Sequence, residues 1–463
     1  MYASGVARKA RPSGALSGTK VVVLGAGLAG LAAARDLEAE GATVIVLEAR
    51  DRVGGRVHTL RTGFSEGQHA EAGADLIEST QSHVLELGSD LGLAPTRILR
   101  RGWGFYGPDN QGRRRVRAGQ TAFGEAARRL AREIDDYKLA DERWDSAVAH
   151  SIARRSVATW LQSEHADVRF EAGLRALRGF FLADPEDLSL LALVDQLAST
   201  AESDTKSAPA GDRVFRLPDG NDSLPRGIAN RLHAPVKLRH VVRRVTRTEN
   251  EVAVTFEHAG RQHQVQADYC VSAMPASTLR DVIFDPALPA DQWRAISTLM
   301  YGPATRLVLQ FARRFWRAAT RPSAYGSDLP TGAVWDANEQ QRGRPGILSF
   351  LAGGRASREL QMILENEGAE GVVRRVTWLA PTGQPAPLLA SEAVVWDDDP
   401  WVRGGYAVFD PTFDPGLRQW LARPAGRILF AGEHTSQHWQ GYMNGAIESG
   451  RRAAAEVRAL RQT

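Results

Sequence analysis

Val21-Val22-Val23-Leu24 opens the patterned part of the chain as an unbroken apolar run, which predicts a buried parallel strand. Gly25-Ala26-Gly27-Leu28-Ala29-Gly30 follows. Leu28, Leu31, Ala32 and Leu37 then recur on one side of a predicted helix that Gly41 stops. Thr43 to Leu47 forms a second strand-like run, closed by Glu48. Strand, glycine loop, helix and strand in that order predict a βαβ unit. From about 80 to 210, Leu85, Leu91, Phe123, Leu130, Val157, Leu161, Phe170, Leu174 and Leu177 punctuate polar, arginine-rich surroundings, and mostly helix is expected. The polar stretch 201–211 reads as a linker. Val252, Val254 and Phe256 alternate with polar residues after a Glu249-Asn250 turn, so strands are expected from 241 through 256 and again around 269–271. Strands and short helices return from about 295 to 395, including Arg306 to Phe311. A last strand, 427–430, leads into a helix from near Tyr442 that buries Ala446, Ile447, Ala453, Ala454 and Val457.

The chain thus begins and ends in α/β units with helical and mixed material between them, which implies discontinuous domains. With 463 residues, two or three are expected. One domain would comprise 18–93, 211–290 and 397–460; the other, of α+β character, would comprise 94–210 and 291–396. Residues 1–17 have no apolar stretch and read as a disordered tail, not as a secretory signal. The absence of any run of about 20 apolar residues argues against a membrane span. The single cysteine, Cys270, excludes an intramolecular disulfide and suits a reducing cytoplasm. Net charge is only +4, and the basic cluster from Gly112 to Arg117 has no interleaved aromatics. It reads as a solvated loop, and nucleic acid is not an expected partner.

The chemistry is concentrated at the two ends. Gly25 suits the tight turn after the first strand, Gly27 lets backbone approach a pyrophosphate, and Gly30 lets helix and strand pack closely. The helix N-terminus offers unpaired N–H groups to phosphate. Glu48 ends the second strand, where a carboxylate accepts hydrogen bonds from ribose hydroxyls. Beyond it, Arg50, the pair Gly54-Gly55 and Arg56 supply guanidiniums and approachable backbone for a second phosphate contact. That addition favours FAD over a nicotinamide cofactor.

Here the sequence resembles the flavin-containing amine oxidases, the family of monoamine, polyamine and L-amino-acid oxidases. The resemblance returns at Gly426 to Thr435, similar to the family's second FAD motif, and implies that Glu433 hydrogen-bonds the ribityl chain. His438 to Ala446 resembles the stretch beside the isoalloxazine, which gives Met443 a cofactor-binding place and sets a helix N-terminus toward the flavin N1/O2 edge. Val242 matches a residue whose main chain meets the adenine; a buried strand valine would serve equally. The implied fold is α/β, with a Rossmann-like FAD-binding domain of the amine-oxidase type and a discontinuous substrate-binding domain.

Departures from the family pattern are informative. Tyr406 stands where covalent members carry the flavin-linked cysteine, so non-covalent FAD is expected. Tyr442 matches one of the two tyrosines that clamp the substrate nitrogen, but Ala407 takes the other place, implying a wider site. Arg306 stands where most members carry a lysine water-bridged to flavin N5. A guanidinium is a poor proton acceptor, which puts fast reaction with oxygen in question. Glu71 to Glu78 resembles the segment of plant polyamine oxidases that ends in a tunnel-lining glutamate, here Glu78. Leu76 stands where L-amino-acid oxidases carry an arginine for the substrate carboxylate. Together these favour an amine over a free α-amino acid.

The resemblance implies oxidation of a C–N bond: hydride passes to flavin N5, an imine forms, and O2 regenerates the flavin with release of hydrogen peroxide. A small-molecule amine and O2 are the expected partners, with a homodimer as a candidate assembly and no metal. Three alternatives stay open. They are a tailoring enzyme acting on an amine or amide of a larger natural product in secondary metabolism, a desaturase or protoporphyrinogen-oxidase-like enzyme, and a flavin-binding scaffold without redox chemistry.

Overall fold

Lys20–Leu24 lies between Thr43–Leu47 and Tyr269–Ser272, parallel to both, and Ile428–Phe430 completes a four-stranded sheet beside the third. This computed structural model describes residues 14–119, 121–203 and 213–462. The β-branched strands are buried on both faces, as parallel strands covered by helices should be. Leu28–Ala39 covers the sheet and packs against the C-terminal helix Met443–Gln462. Glycine makes the close approach feasible: a Cβ on Gly450 would lie 2.2 Å from the Ala29 carbonyl oxygen. Three antiparallel strands, Val241–Arg247, Val252–His258 and Arg261–Ala267, form a separate sheet, with Ile283–Asp285 added parallel at its edge.

A seven-stranded sheet forms the second centre of the molecule. Its order is Leu388–Val395, Ala304–Phe311, Gly346–Gly353, Ala333–Asp336, Ala324–Ser327, Trp103–Pro108 and Arg114–Ala118. Ala304–Phe311 is buried at every position. Helices between Thr121 and Ser203 pack around Tyr137, Trp160, Phe170 and Val194.

Helix predominates over 80–210, as expected, although Thr96–Ile98, Trp103–Pro108 and Arg114–Ala118 are strands. The basic cluster is therefore no loop: Arg114–Ala118 is an edge strand whose charges face water and carboxylates, with Arg114 paired to Asp328 at 2.6 Å and Arg115 to Asp109 at 3.1 Å. The region 295–395 holds one long helix, Arg355–Arg375, which covers one face of the large sheet and is interrupted by Gly368 at φ 64°. Most of the expected tail and linker lies outside the described residues. At the tail's end, however, Leu16 is buried and its N–H donates to the Glu40 carbonyl at 2.9 Å. Among the described residues no helix is long and apolar enough to cross a membrane.

Candidate active site

A groove runs along the carboxyl ends of the parallel strands. Gly25 turns the chain at φ 95°, and a Cβ on Gly30 would sit 2.0 Å from the Gly25 carbonyl oxygen, so both positions require glycine. Gly27 caps the helix Leu28–Ala39 with no side-chain partner for its first amides, and a Cβ there would meet nothing within 4 Å. Opposite it, Gly55 at φ 56° brings its missing Cβ to 3.5 Å from the Gly27 Cα. Two bare stretches of backbone and one uncapped helix start thus face a single space, a suitable cradle for a diphosphate. Glu48 is 6% exposed; its carboxylate accepts from the Ala26 N–H at 2.7 Å and the Arg50 N–H at 2.8 Å. It stands at the strand end where the ribose of such a nucleotide would lie. These residues fit the FAD that the sequence implies.

Arg50 has a partner that its sequence position did not indicate: its guanidinium forms two bonds to Asp399, at 2.5 and 2.7 Å. It ties the ribose end of the groove to the segment before Gly404-Gly405. Val242 is buried, opposite Phe256 and beside a bulge at Arg243.

Glu433 joins the two ends of the sequence. Arg56 Nη1 donates to its carboxylate at 2.8 Å and to the Gly405 carbonyl at 2.8 Å. The Ala407 and Gly441 N–H groups add bonds at 3.3 and 2.9 Å. Burial opposes ionisation of Glu433, but the Arg56 charge and these donors outweigh it and hold its pKa below the usual carboxylate value. Its neighbour His434, buried, is pushed down to about 4 by burial and is neutral at pH 7. Met443 begins the C-terminal helix and is buried, while Tyr442 immediately precedes it, half-buried and edge-on to Trp439 at 5.6 Å. Arg418 braces this loop, which went unnoticed in the sequence. Its guanidinium lies 4.3 Å from the Trp144 ring and 4.4 Å from that of Phe409. It donates to the Ser436 and Gln437 carbonyls.

Arg306 lies inside the molecule, 5% exposed, in the strand Ala304–Phe311. Nη2 donates to the Gly73 carbonyl at 2.8 Å and Nη1 to Ser349 Oγ at 3.0 Å. Gly73 in turn packs on the Arg56 carbonyl, 1.8 Å from where its Cβ would be, so Arg306 and the Arg56–Glu433 pair belong to one assembly. Tyr406 completes it: its ring lies 3.1 Å from the position a Cβ on Gly441 would take, and its hydroxyl donates to the Phe180 carbonyl. Ala407 is buried and offers no aromatic face. Glu78 is half-buried in the strand Ile77–Glu78, paired with Val214.

The acidic segment holds two residues whose roles its pattern did not disclose. Asp75 accepts from Arg216 Nε at 2.5 Å and Trp335 Nε1 at 2.6 Å, with all three side chains buried. Glu71 accepts from Thr59 Oγ1 and the Asn221 N–H, both at 2.9 Å. Burial, reinforced by Asp75, pushes its pKa up to about 8. A raised carboxyl pKa favours the folded state fully below its ordinary value of about 4.5, and that advantage is lost as pH rises through about 8. Between pH 5.5 and 8.5 the wild type should therefore lose on the order of 1–3 kcal/mol more stability than Glu71→Gln. Urea midpoints at the two pH values measure this, and parallel losses in both proteins would place the ionisation elsewhere.

An apolar cleft lined by Trp103, Phe105, Phe123, Phe170 and Phe180 lies between the large sheet and the helices. Trp103 meets Phe180 edge-on at 5.1 Å and Trp335 at 6.3 Å, and Arg306 lies over the Trp335 ring at 4.7 Å. Trp335, itself buried, thus stands between the cleft's Trp103 and the Arg306 guanidinium.

Comparison with known proteins bears on this site. Residues 28–458 match the family described as flavin containing amine oxidoreductase. A Mycobacterium tuberculosis protein described as a flavin-containing monoamine oxidase, AofH, is 30% identical over 458 residues, covering 95% of this chain and 96% of its own. The flavin-dependent L-tryptophan oxidase RebO of Lentzea aerocolonigenes is 28% identical over 474 residues, covering 95% and 98%. The structure of cyclohexylamine oxidase from Brevibacterium oxydans IH-35A superimposes with a TM-score of 0.83 at 23% identity, covering 96% of this chain and all of that one. The fold is shared with that amine oxidase.

Proposed function

Because the chain belongs to the flavin-containing amine oxidoreductases, FAD-dependent enzymes that oxidise amines, we propose that it holds FAD without a covalent link and oxidises a C–N bond next to a bulky apolar group. The observation that carries this reading is the Arg56–Glu433 pair, which joins residues 377 apart in sequence and ties them to the Gly405 and Gly441 backbone. Gly27, Gly55 and the first amides of Leu28–Ala39 would hold the diphosphate, Glu48 the ribose, and Glu433 with Met443 the flavin end. FAD supplies the two-electron acceptor: hydride leaves the carbon beside nitrogen as the nitrogen lone pair closes the C=N bond, and O2 then takes the two electrons with two protons as hydrogen peroxide.

The protein's own share is positioning, exclusion of water and control of charge. Tyr442 would present its ring to the substrate nitrogen. Glu78 would meet the ammonium of the incoming amine and accept the proton that must leave before the lone pair is available. Ala407, small where a second aromatic clamp would stand, leaves room that suits the aromatic lining of the cleft. Tyr406 supports non-covalent binding, since a phenol stands where covalent members of the family carry the flavin-linked cysteine; its pKa is raised by burial, so it remains a neutral hydrogen-bond donor.

Spectra under nitrogen test the reading. A panel of monoamines, polyamines, amino acids and N-acyl amines is added to the purified yellow protein, and air is admitted afterwards. Bleaching by one class with recovery in air is expected; no bleaching by any of them would leave a tailoring enzyme acting on a larger natural product or a flavin-binding scaffold. Arg306 fixes a positive charge where a tunable amine is usual. Arg306→Lys should change the reoxidation rate at least several-fold more than the reduction rate, as stopped-flow absorbance would show. An unchanged oxygen reaction would move Arg306 away from the reacting edge.

A further inference from the structure

Three histidines gather on one face of the antiparallel sheet beside the nucleotide groove. The His240 and His258 rings stack 4.1 Å apart, and His263 stands 6.4 Å from His258. The Phe256 ring meets His240 at 5.1 Å and His263 at 5.6 Å. These rings bear on segment 237–240, which runs along the edge strand Thr43–Leu47 and is tied to its end by main-chain bonds. Lys237 N–H donates to the Val46 carbonyl and Glu48 N–H to that of Lys237, both at 2.9 Å. Arg239 N–H donates to the Arg50 carbonyl and His240 N–H to that of Glu48, both at 2.8 Å. Arg239 holds φ 59°, a left-handed turn that a non-glycine residue keeps only when its surroundings enforce it. The histidines supply that enforcement. His240 Nδ1 meets the Leu238 carbonyl at 2.6 Å, and His258 Nδ1, from the strand Val252–His258, meets the Arg239 carbonyl at 3.1 Å. A carbonyl only accepts, so in both rings Nδ1 carries the proton, and the neutral ring leaves Nε2 bare.

Acid changes this arrangement. A proton added at each Nε2 puts two positive charges in rings 4.1 Å apart, and like charges resist that approach. The surroundings give no relief. Lys237 and Arg239 on the same segment, Arg243 on the next strand and Arg261 opposite His258 are basic. The acids are Asp51, 3.7 Å from Arg239, and Glu257, 2.9 Å from Arg243. Burial first, and then the neighbouring His258, Lys237 and His263, hold His240 below the ordinary imidazole value, against the opposing pull of the Leu238 carbonyl. A group depressed in the closed form takes its proton on opening. Closure is therefore favoured above about pH 6.5, and that advantage is lost as pH falls below it. We propose that His240 and His258 are positioning residues for the nucleotide end: neutral, they hold 237–240 against Glu48, and protonated, they release it and loosen FAD. The proposal rests on Glu48 as the ribose acceptor and adds proton control of that grip.

Flavin release from the FAD-loaded protein, followed by the fluorescence of free FAD at equilibrium, tests it without recourse to activity. Between about pH 7.5 and about pH 5.5 the wild-type dissociation constant should rise about ten-fold or more. Asparagine places an N–H where Nδ1 stands and does not titrate in this range. The double variant His240→Asn/His258→Asn should therefore keep its affinity at the higher pH within about three-fold of wild type and lose the pH dependence. His258→Asn alone serves if the double variant does not fold, and should cut the rise to about three-fold or less. A merely structural role for the two rings would leave the pH profile unmoved. A flat wild-type profile would overturn the proposal. So would a full pH dependence in the asparagine variants, which would move the effect to His58 or His434, both held down near 4. Glu48→Ala separates this outcome from the cofactor map. Flavin lost from that variant, with a flat wild-type profile, sinks only the proton control, whereas flavin retained by it sinks the ribose assignment.

Discussion

Arg56→Ala should purify as a colourless protein that still unfolds cooperatively. The wild-type guanidinium bonds Glu433 and the Gly405 carbonyl through the same nitrogen, so its loss releases two segments from the glycine groove at once. Glu433, 4% exposed, would keep only the amides of Ala407 and Gly441 and would lose the charge that chiefly offsets its burial. A charge-assisted contact of this kind contributes about 2–4 kcal/mol to ligand binding, equivalent to a 30- to 1,000-fold rise in the dissociation constant for FAD. Glu48→Ala should give a comparable loss by another route, removing the ribose acceptor and freeing the Ala26 and Arg50 N–H groups. The ratio of flavin absorbance to protein absorbance after gel filtration measures both. Full yellow colour in both variants, with unchanged unfolding midpoints, would contradict the cofactor map.

The largest effect on stability is expected from Asp75→Asn. The carboxylate is 4% exposed and is the acid that pairs with Arg216, itself 1% exposed. Asparagine cannot neutralise that guanidinium, and its amide can accept through only one oxygen where Arg216 and Trp335 now use two. Breaking a buried pair by removing one partner costs about 3–5 kcal/mol, because the other charge is left behind. Denaturant titration should show the midpoint falling with little change in slope. A stability within about 1 kcal/mol of wild type would mean that water already solvates the Arg216 charge.

The nucleotide-binding half of the molecule was legible because its signals are local. Gly25, Gly27 and Gly30 fall within six residues of one turn, and Glu48 follows at the end of the next strand. Backbone geometry dictates glycine at such places whatever surrounds them. The charge cluster was not legible for the opposite reason. Asp75 meets Arg216 across 141 positions and Trp335 across 260, and one arginine among 58 basic residues carries no mark of burial. Arg113 to Arg117 misled in the same way: a charged run reads as solvated loop, yet an exposed edge strand satisfies its backbone on one side and its side chains in water. Arg306 gave a local signal through its strand, but its neutral partners, Gly73 and Ser349, emerge only from packing.

The order of strands in the parallel sheet has a consequence for synthesis of the protein. Lys20–Leu24 and Thr43–Leu47 leave the ribosome well before the strand and helix that complete their groove, Ile428–Phe430 and Met443–Gln462. Until then Tyr269–Ser272 has an open edge and Arg56 has no Glu433. A nascent chain would hold its nucleotide loop ready for roughly 20–80 seconds of elongation without the means to retain flavin. Cofactor capture therefore waits for that distant strand and helix, and the supply of free FAD once they emerge should govern the yield of folded protein.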